Sequence, residues 1–175
     1  MNWDDVFLYQ AATGCLIWRQ RKSGSPEDLR FNTKTSGKIA GALAYNGPER
    51  NKKPRGITIG YKGQDLYAHR IVWEMHHGPI PEGFVIDHIN GNPFDNRIQN
   101  LRLATKTQNY HNQGLGMKNT SGIKGVHYDK SRGKWRAEIR FYNNVVNLGR
   151  FDTKGMAAVA RAKAALRYHG EFYRI

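Results

Sequence analysis

The stretch Phe84-Val85-Ile86-Asp87-His88-Ile89-Asn90-Gly91-Asn92 decides how this chain reads. Its apolar start predicts a strand, the Asp-His pair sits where that strand ends, and the Asn and Gly residues beyond predict a turn. A second short strand is predicted at Leu101-Arg102-Leu103, directly after Asn100, and a polar helix from Thr105 onward with Asn109 at its middle. Adjacent strand residues point to opposite sides. Asp87 and His88 can therefore address different atoms only if the chain bends there, which Gly91 and its Asn neighbours permit.

These residue types suit hydrolysis of a phosphodiester. Such a reaction needs an activated water, and positive charge beside the leaving oxygen. Histidine ionises near neutral pH and is the side chain best suited to take the proton of water. A hard divalent cation meets the second need and prefers oxygen ligands from only one or two protein groups. Asp87 and Asn109 offer two such oxygens. An Asp-His pair in a loop is by itself an ordinary solvated turn, and Asn100 by itself an Asx turn; the spacing of all four residues carries the reading.

In that spacing the segment resembles the HNH endonucleases, in the branch with an Asp-His pair found in phage homing and nicking enzymes. The run Tyr67-Ala68-His69-Arg70 extends the likeness upstream. The resemblance implies a ββα-metal site in which Asp87 and Asn109 hold one divalent cation, His88 is the general base, and Asn100 braces the loop that aims it. Some members carry a further histidine one helical turn after the Asn109 position. Here that residue is Gln113, which favours Mg²⁺, with Mn²⁺ second, over a softer ion such as zinc. His111 falls on a different helix face from Asn109 and stays outside the expected site. His69 reads as a helix-start residue with a structural hydrogen bond, and His76 and His77 as groups at the helix end.

Charge is the largest deviation in composition. The 175 residues carry 28 Lys and Arg against 14 Asp and Glu, a formal net charge of +14 and a pI near 10.1. Such an excess favours a polyanionic partner through counterion release. No apolar run approaches the ~18 residues of a membrane span, and no signal-peptide pattern opens the chain. The lone Cys15 rules out an internal disulfide framework and a multi-cysteine zinc site, and suits a reducing cytoplasm.

Residues Met1 to Ala68 read as mostly β, with hairpins at Phe7-Leu8-Tyr9 with Leu16-Ile17-Trp18, and at Ile57-Thr58-Ile59 with Leu66-Tyr67-Ala68. The basic loops between them place Arg21, Lys52, Lys53 and Arg55 as candidate phosphate contacts. A helix is predicted from His69 to Met75, ended by Gly78-Pro79.

Beyond Gln113 the composition changes. Residues 114–121 are poor in apolar side chains and rich in glycine, the pattern of a linker. Three short strands follow, at Ile123–Tyr128, Lys134–Arg140 and Val145–Phe151, and Thr153 caps an alanine-rich helix from Met156 to about His169. This order, with Lys124-Gly125-Val126, Trp135 to Arg140 and Leu148-Gly149-Arg150-Phe151-Asp152-Thr153, resembles the APETALA-type DNA-binding domain of plant ethylene-response factors. By alternation, Trp135, Ala137 and Ile139 face an alanine stripe of Ala157, Ala160 and Ala164, while Lys134, Arg136, Glu138 and Arg140 face away. The resemblance carries DNA contacts onto Lys124, His127, Glu138 and Arg140, and Arg136 shares their face. Two further contact positions of the plant domains are Val145 and Asn147 here, so the plant target sequence is not implied.

The expectation is thus an α+β chain: a β-rich region and HNH domain over 1–113, with its core at about 67–113, a linker over 114–121, and a three-stranded antiparallel sheet on one helix over 122–175. The expected function is metal-dependent, site-selective cleavage of double-stranded DNA to 5′-phosphate and 3′-hydroxyl ends, of homing or nicking type. It would act in the cytoplasm of a phage-infected bacterium, as monomer or homodimer, without a membrane or an obligate protein partner. The alternative is a sequence-specific DNA-binding regulator without nuclease activity.

Overall fold

The computed structural model describes residues 2–46, 53–112, 114, 115, 119–142 and 144–173. Lys52, Gln113 and part of the expected linker lie outside the described residues. The chain divides into two compact units, Met1–Leu103 and Ala104–Ile175. Each is described by itself.

The first unit opens with an antiparallel hairpin of β1 (Phe7–Gln10) and β2 (Cys15–Trp18), Phe7 lying opposite Trp18. A second sheet, in the order β3-β4-β5, is built from β3 (Ala42–Asn46), β4 (Lys53–Tyr61) and β5 (Gln64–Tyr67). Helix α2 (Ala68–His77) follows at once and buries Ala68, Ile71, Val72 and Trp73. Consecutive buried positions near one turn form the apolar stripe that anchors a short helix, and fully burying Ile71 and Val72 contributes roughly 1.5–3 kcal/mol each. Gly78 ends the helix at φ +77°, a conformation glycine adopts without steric cost. The chain then enters β6 (Phe84–His88), which pairs with β7 (Leu101–Thr105). Ile86 and Leu101 join Phe7, Leu16, Ile59, Ile71 and Val72 in one core. The strands that carry the Asp-His pair are thus seated on the same core as the N-terminal hairpin.

One element departs from the mostly β expectation for residues 1–68. Pro26–Lys34 form helix α1, with Ser25 Oγ accepting from the Asp28 amide at 3.1 Å, Pro26 in the first turn, and Glu27 and Asp28 behind it. That is an N-terminal capping pattern of the usual kind, and it outweighs the β-like surroundings.

The second unit contains α3 (Lys106–Asn112), then β8 (Val126–Asp129), β9 (Lys134–Phe141) and β10 (Asn144–Phe151), an antiparallel sheet in the order β10-β9-β8. Helix α4 (Lys154–His169) is capped by Thr153, whose hydroxyl accepts from the Met156 amide. It packs Ala157 against Val126 and Ala137, and Ala164 and Ala165 against Ile139. The mixed α+β class, with a small sheet on a helix at the C-terminal end, is as the sequence predicts. The expected alanine stripe is interrupted, however, because Arg161 is buried between Ala157 and Ala164. Among the described residues no helix is long and apolar enough to cross a membrane.

Candidate active site

The end of β6 and the loop beyond it form a polar nest held by amide side chains. Gly91 donates to the His88 carbonyl at 2.7 Å and has φ +66°, which makes the bend that the Asp-His pair requires. Asn100, 7 % exposed, ties both ends of the loop. Its Oδ1 accepts from the Asn90 amide at 3.0 Å, its Nδ2 donates to the Asp95 carbonyl at 2.7 Å and to Asn90 Oδ1 at 3.1 Å, and its own carbonyl accepts from Ile89 at 2.8 Å. Asp95 adds an outer clasp: Arg97 binds its two carboxylate oxygens at 2.7 and 2.6 Å and Asn90 donates at 2.9 Å. The Arg97 hydrogen bonds hold the Asp95 carboxyl down to about 2.

Within this nest Asn96 lies almost wholly buried, with its Oδ1 3.0 Å from His88 Nε2. With the amide oxygen accepting, Nε2 carries the hydrogen of the neutral ring and the basic lone pair falls on Nδ1. The contact is not foreseeable from Asn96 alone, which stands in a run of turn-forming residues. The N-terminal hairpin reaches the same loop. Tyr9 Oη accepts from the Ile98 amide at 2.9 Å, and Gly14, at φ +74°, sits so close that a Cβ there would lie 2.4 Å from Arg97 N and from Asn96 C.

Asp87 is 4 % exposed, and its Oδ2 accepts from Arg102 Nε at 2.9 Å across the β6–β7 pair. Arg102 is a residue the sequence reading treats only as part of a strand. His69, from the first turn of α2, lies edge-on to His88 with ring centroids 5.1 Å apart. Its Nδ1 is buried without a hydrogen-bond partner, in place of the structural bond expected there. Burial first, then the neighbouring His88 and Arg70, push the His69 pKa down to about 3, so its imidazole is neutral at physiological pH.

Asp87, His88 and Asn100 are thus brought together in the first unit, joined by Asn96, Arg102 and His69. Asn109 lies half-buried on α3 in the second unit. The Asp87 carboxylate is the kind of donor that a hard, oxygen-preferring cation takes, and such an ion needs only one or two protein groups. Among the described residues no cluster of three His, Cys, Asp or Glu forms a metal cage.

The other expected contacts are dispersed. Arg21 pairs with Asp28 at 3.2 Å and lies over the Phe31 ring at 3.8 Å. Lys53 and Arg55 belong to β4, and Arg55 is exposed. In the second unit, Arg136 bonds Glu138, which also lies 3.5 Å from His127 Nε2. Arg140 and His127 are exposed, and Lys124 Nζ donates to the carbonyls of Tyr110 and His111 at 3.4 and 3.1 Å. A cleft of about 1330 Å³ around α1 and β2 contains none of the Asp87, His88, Asn96 or Asn100 side chains.

A bent strand end carries Asp-His, a buried asparagine lies on the histidine, and a second asparagine locks the loop, all inside a segment that matches a known family profile. The HNH endonuclease family profile matches residues 66–111, about a quarter of the chain. It is similar to protein 3.8 of Escherichia phage T7, at 39% identity over 107 residues, covering 61% of this chain and 87% of the relative. It also resembles an uncharacterized HNH endonuclease of Acanthamoeba polyphaga mimivirus, 27% identical over 118 residues, 67% of this chain and 60% of the relative. An SPbeta prophage-derived protein of Bacillus subtilis, named for an HNH homing endonuclease, is 34% identical over 64 residues, 35% of this chain and 37% of its own length. No solved structure matches the chain.

Proposed function

We propose that this chain is a metal-dependent DNA endonuclease of homing or nicking type, acting in the cytoplasm of a phage-infected bacterium, with His88 as its general base. The observation that carries the reading is the Asn96–His88 contact beside the buried Asp87, inside the segment that matches the HNH family. Asn96 fixes the ring and its tautomer, so the Nδ1 lone pair is the one that takes a proton from water as that water attacks phosphorus. Asn100 is a positioning residue: its hydrogen bonds to Asn90 and Asp95 hold the loop on which His88 depends. Asp87 and Asn109 would hold one divalent cation, Mg²⁺ first and Mn²⁺ second. When bound, it supplies positive charge for the leaving 3′-oxygen. The products are a 5′-phosphate and a 3′-hydroxyl, and one site cuts one strand.

The C-terminal sheet, read as an APETALA-type domain, would select the target through Lys124, His127, Arg136, Glu138 and Arg140. Arg21, Lys52, Lys53 and Arg55 would supply backbone contacts, in keeping with the +14 charge. The test is conversion of supercoiled plasmid by the purified protein and by His88→Ala, each with Mg²⁺ and with chelator. Nicked circles from the unaltered protein with Mg²⁺ alone are expected. Equal cutting by His88→Ala overturns the assignment, and duplex binding without any cutting favours the regulator.

A further inference from the structure

Helix α4 buries an arginine where the sequence predicts alanines. Arg161 is 4 % exposed and, among the described residues, no carboxylate pairs with it; the nearest aromatic partner is Tyr173, whose ring centroid lies 5.8 Å from the guanidinium carbon. Its Nε and Nη1 atoms are buried without a hydrogen-bond partner. A buried guanidinium is strongly disfavoured unless negative charge and acceptors are brought to it.

Arg161 lines a cavity of about 190 Å³. At roughly 30 Å³ per water, that is room for a tetrahedral oxyanion with a few waters. Its surroundings are basic. Lys124 lines it together with His111 and His169, whose rings stack with centroids 3.7 Å apart. His169, 8 % exposed, has Nε2 2.9 Å from the Arg140 carbonyl, while its Nδ1 is buried and without a partner. Glu138, the carboxylate lining the cavity, is engaged by Arg136. Gly125, at φ +72°, leaves room beside the guanidinium that a Cβ, 2.8 Å from Arg161 Nε, would close. Burial lowers the pKa of Arg161, of Lys124 and of His169 alike.

We propose that this cavity is a seat for a phosphate group, gripped by Arg161 Nε and Nη1 beside Lys124 and His169. The planar guanidinium fork matches two oxygens of a phosphate, and its rigidity suits a fixed seat. Two sources share this chemistry, a backbone phosphodiester of DNA and free or small-molecule phosphate. In the first case the inference rests on the DNA-binding reading above; in the second it stands without it.

The experiment is calorimetric titration of the full-length protein with inorganic phosphate, against chloride at equal ionic strength, and in parallel with duplex DNA over a salt series. Arg161→Met removes the charge at similar volume and should fold at least as well, because a buried unpaired cation is lost. Arg161→Lys keeps the charge without the fork. Saturable phosphate binding by the unaltered protein, weakened by Arg161→Lys and abolished by Arg161→Met, is expected. If the seat takes a DNA phosphate, Arg161→Met also lowers the slope of log affinity against log salt by about 1. Loss of free-phosphate binding with an unchanged slope assigns the seat to a small-molecule phosphate, and a lowered slope without free-phosphate binding assigns it to the backbone. Should neither phosphate nor the duplex slope respond in a folded Arg161→Met, or the unaltered protein bind neither ligand, the seat is overturned. A protein that fails to bind duplex but still takes phosphate at Arg161 would instead refute the DNA-binding reading alone.

Discussion

The loop around His88 and the cavity around Arg161 treat buried polar groups in opposite ways. In the first, Asn96, Asn100 and Asp87 are each buried and each has a named partner: His88, Asn90 with Asp95, and Arg102. In the second, Arg161 and His169 are equally buried and keep nitrogens with none. Buried polar atoms in folded proteins are nearly always paired. The satisfied asparagine network marks a loop that the chain holds rigid for itself, although His69 Nδ1 beside it has no partner. An unsatisfied one marks a place that something else completes.

The sharpest way to break the contrast is to remove one partner from the satisfied side. Arg102→Met removes the guanidinium from the buried Asp87 carboxylate, and should cost about 3–5 kcal/mol of stability in chelator. Urea denaturation checks it, and added Mg²⁺ should recover part of the loss if Asp87 holds the metal. A loss under 1 kcal/mol would show that Asp87 is better solvated than its 4 % exposure indicates. Asn100→Ala comes next. It strips partners from the Asn90 amide and the Asp95 carbonyl, each an exposed or half-shielded group once the loop loosens, so about 1–3 kcal/mol is expected. Cleavage should fall further than stability does, because the loop that aims His88 is released. Gly14→Ala costs about 1–2 kcal/mol from the left-handed backbone alone, before the clash of its Cβ. Its Cβ, 2.4 Å from the backbone of Asn96 and Arg97, must push the loop. Reduced kcat in a protein that still melts cooperatively would show that the N-terminal hairpin sets the position of His88; unchanged kcat would confine that hairpin to a role in stability.

Much of this was legible in the chain itself. The strands of the Asp-His segment, the helix after Tyr67 and the C-terminal sheet on its helix follow from apolar period, Gly and Pro punctuation, and caps, all local signals. Helix α1 was equally legible in Ser25-Pro26-Glu27-Asp28, but the hairpins on either side weighted the reading toward strand. Arg102 and Asn96 were not, since nothing in a lone Arg on a strand or a lone Asn in a turn names its partner. His111 on α3 gave no sign that it would stack on His169, 58 positions along the chain.

Sequence alone determined the chemistry present: an Asp-His pair, two asparagines at fixed intervals and a strong positive charge, because these are matters of residue type and local spacing. It also determined the element order, since hydrophobic period and capping act over a few residues. Tertiary structure alone decided that Asn96 holds His88, that Arg102 bonds Asp87, that Gly14 packs against the loop and that Arg161 is buried beside Lys124 and two stacked histidines. Each of these depends on which distant side chain closes the space, and packing, not composition, settles that.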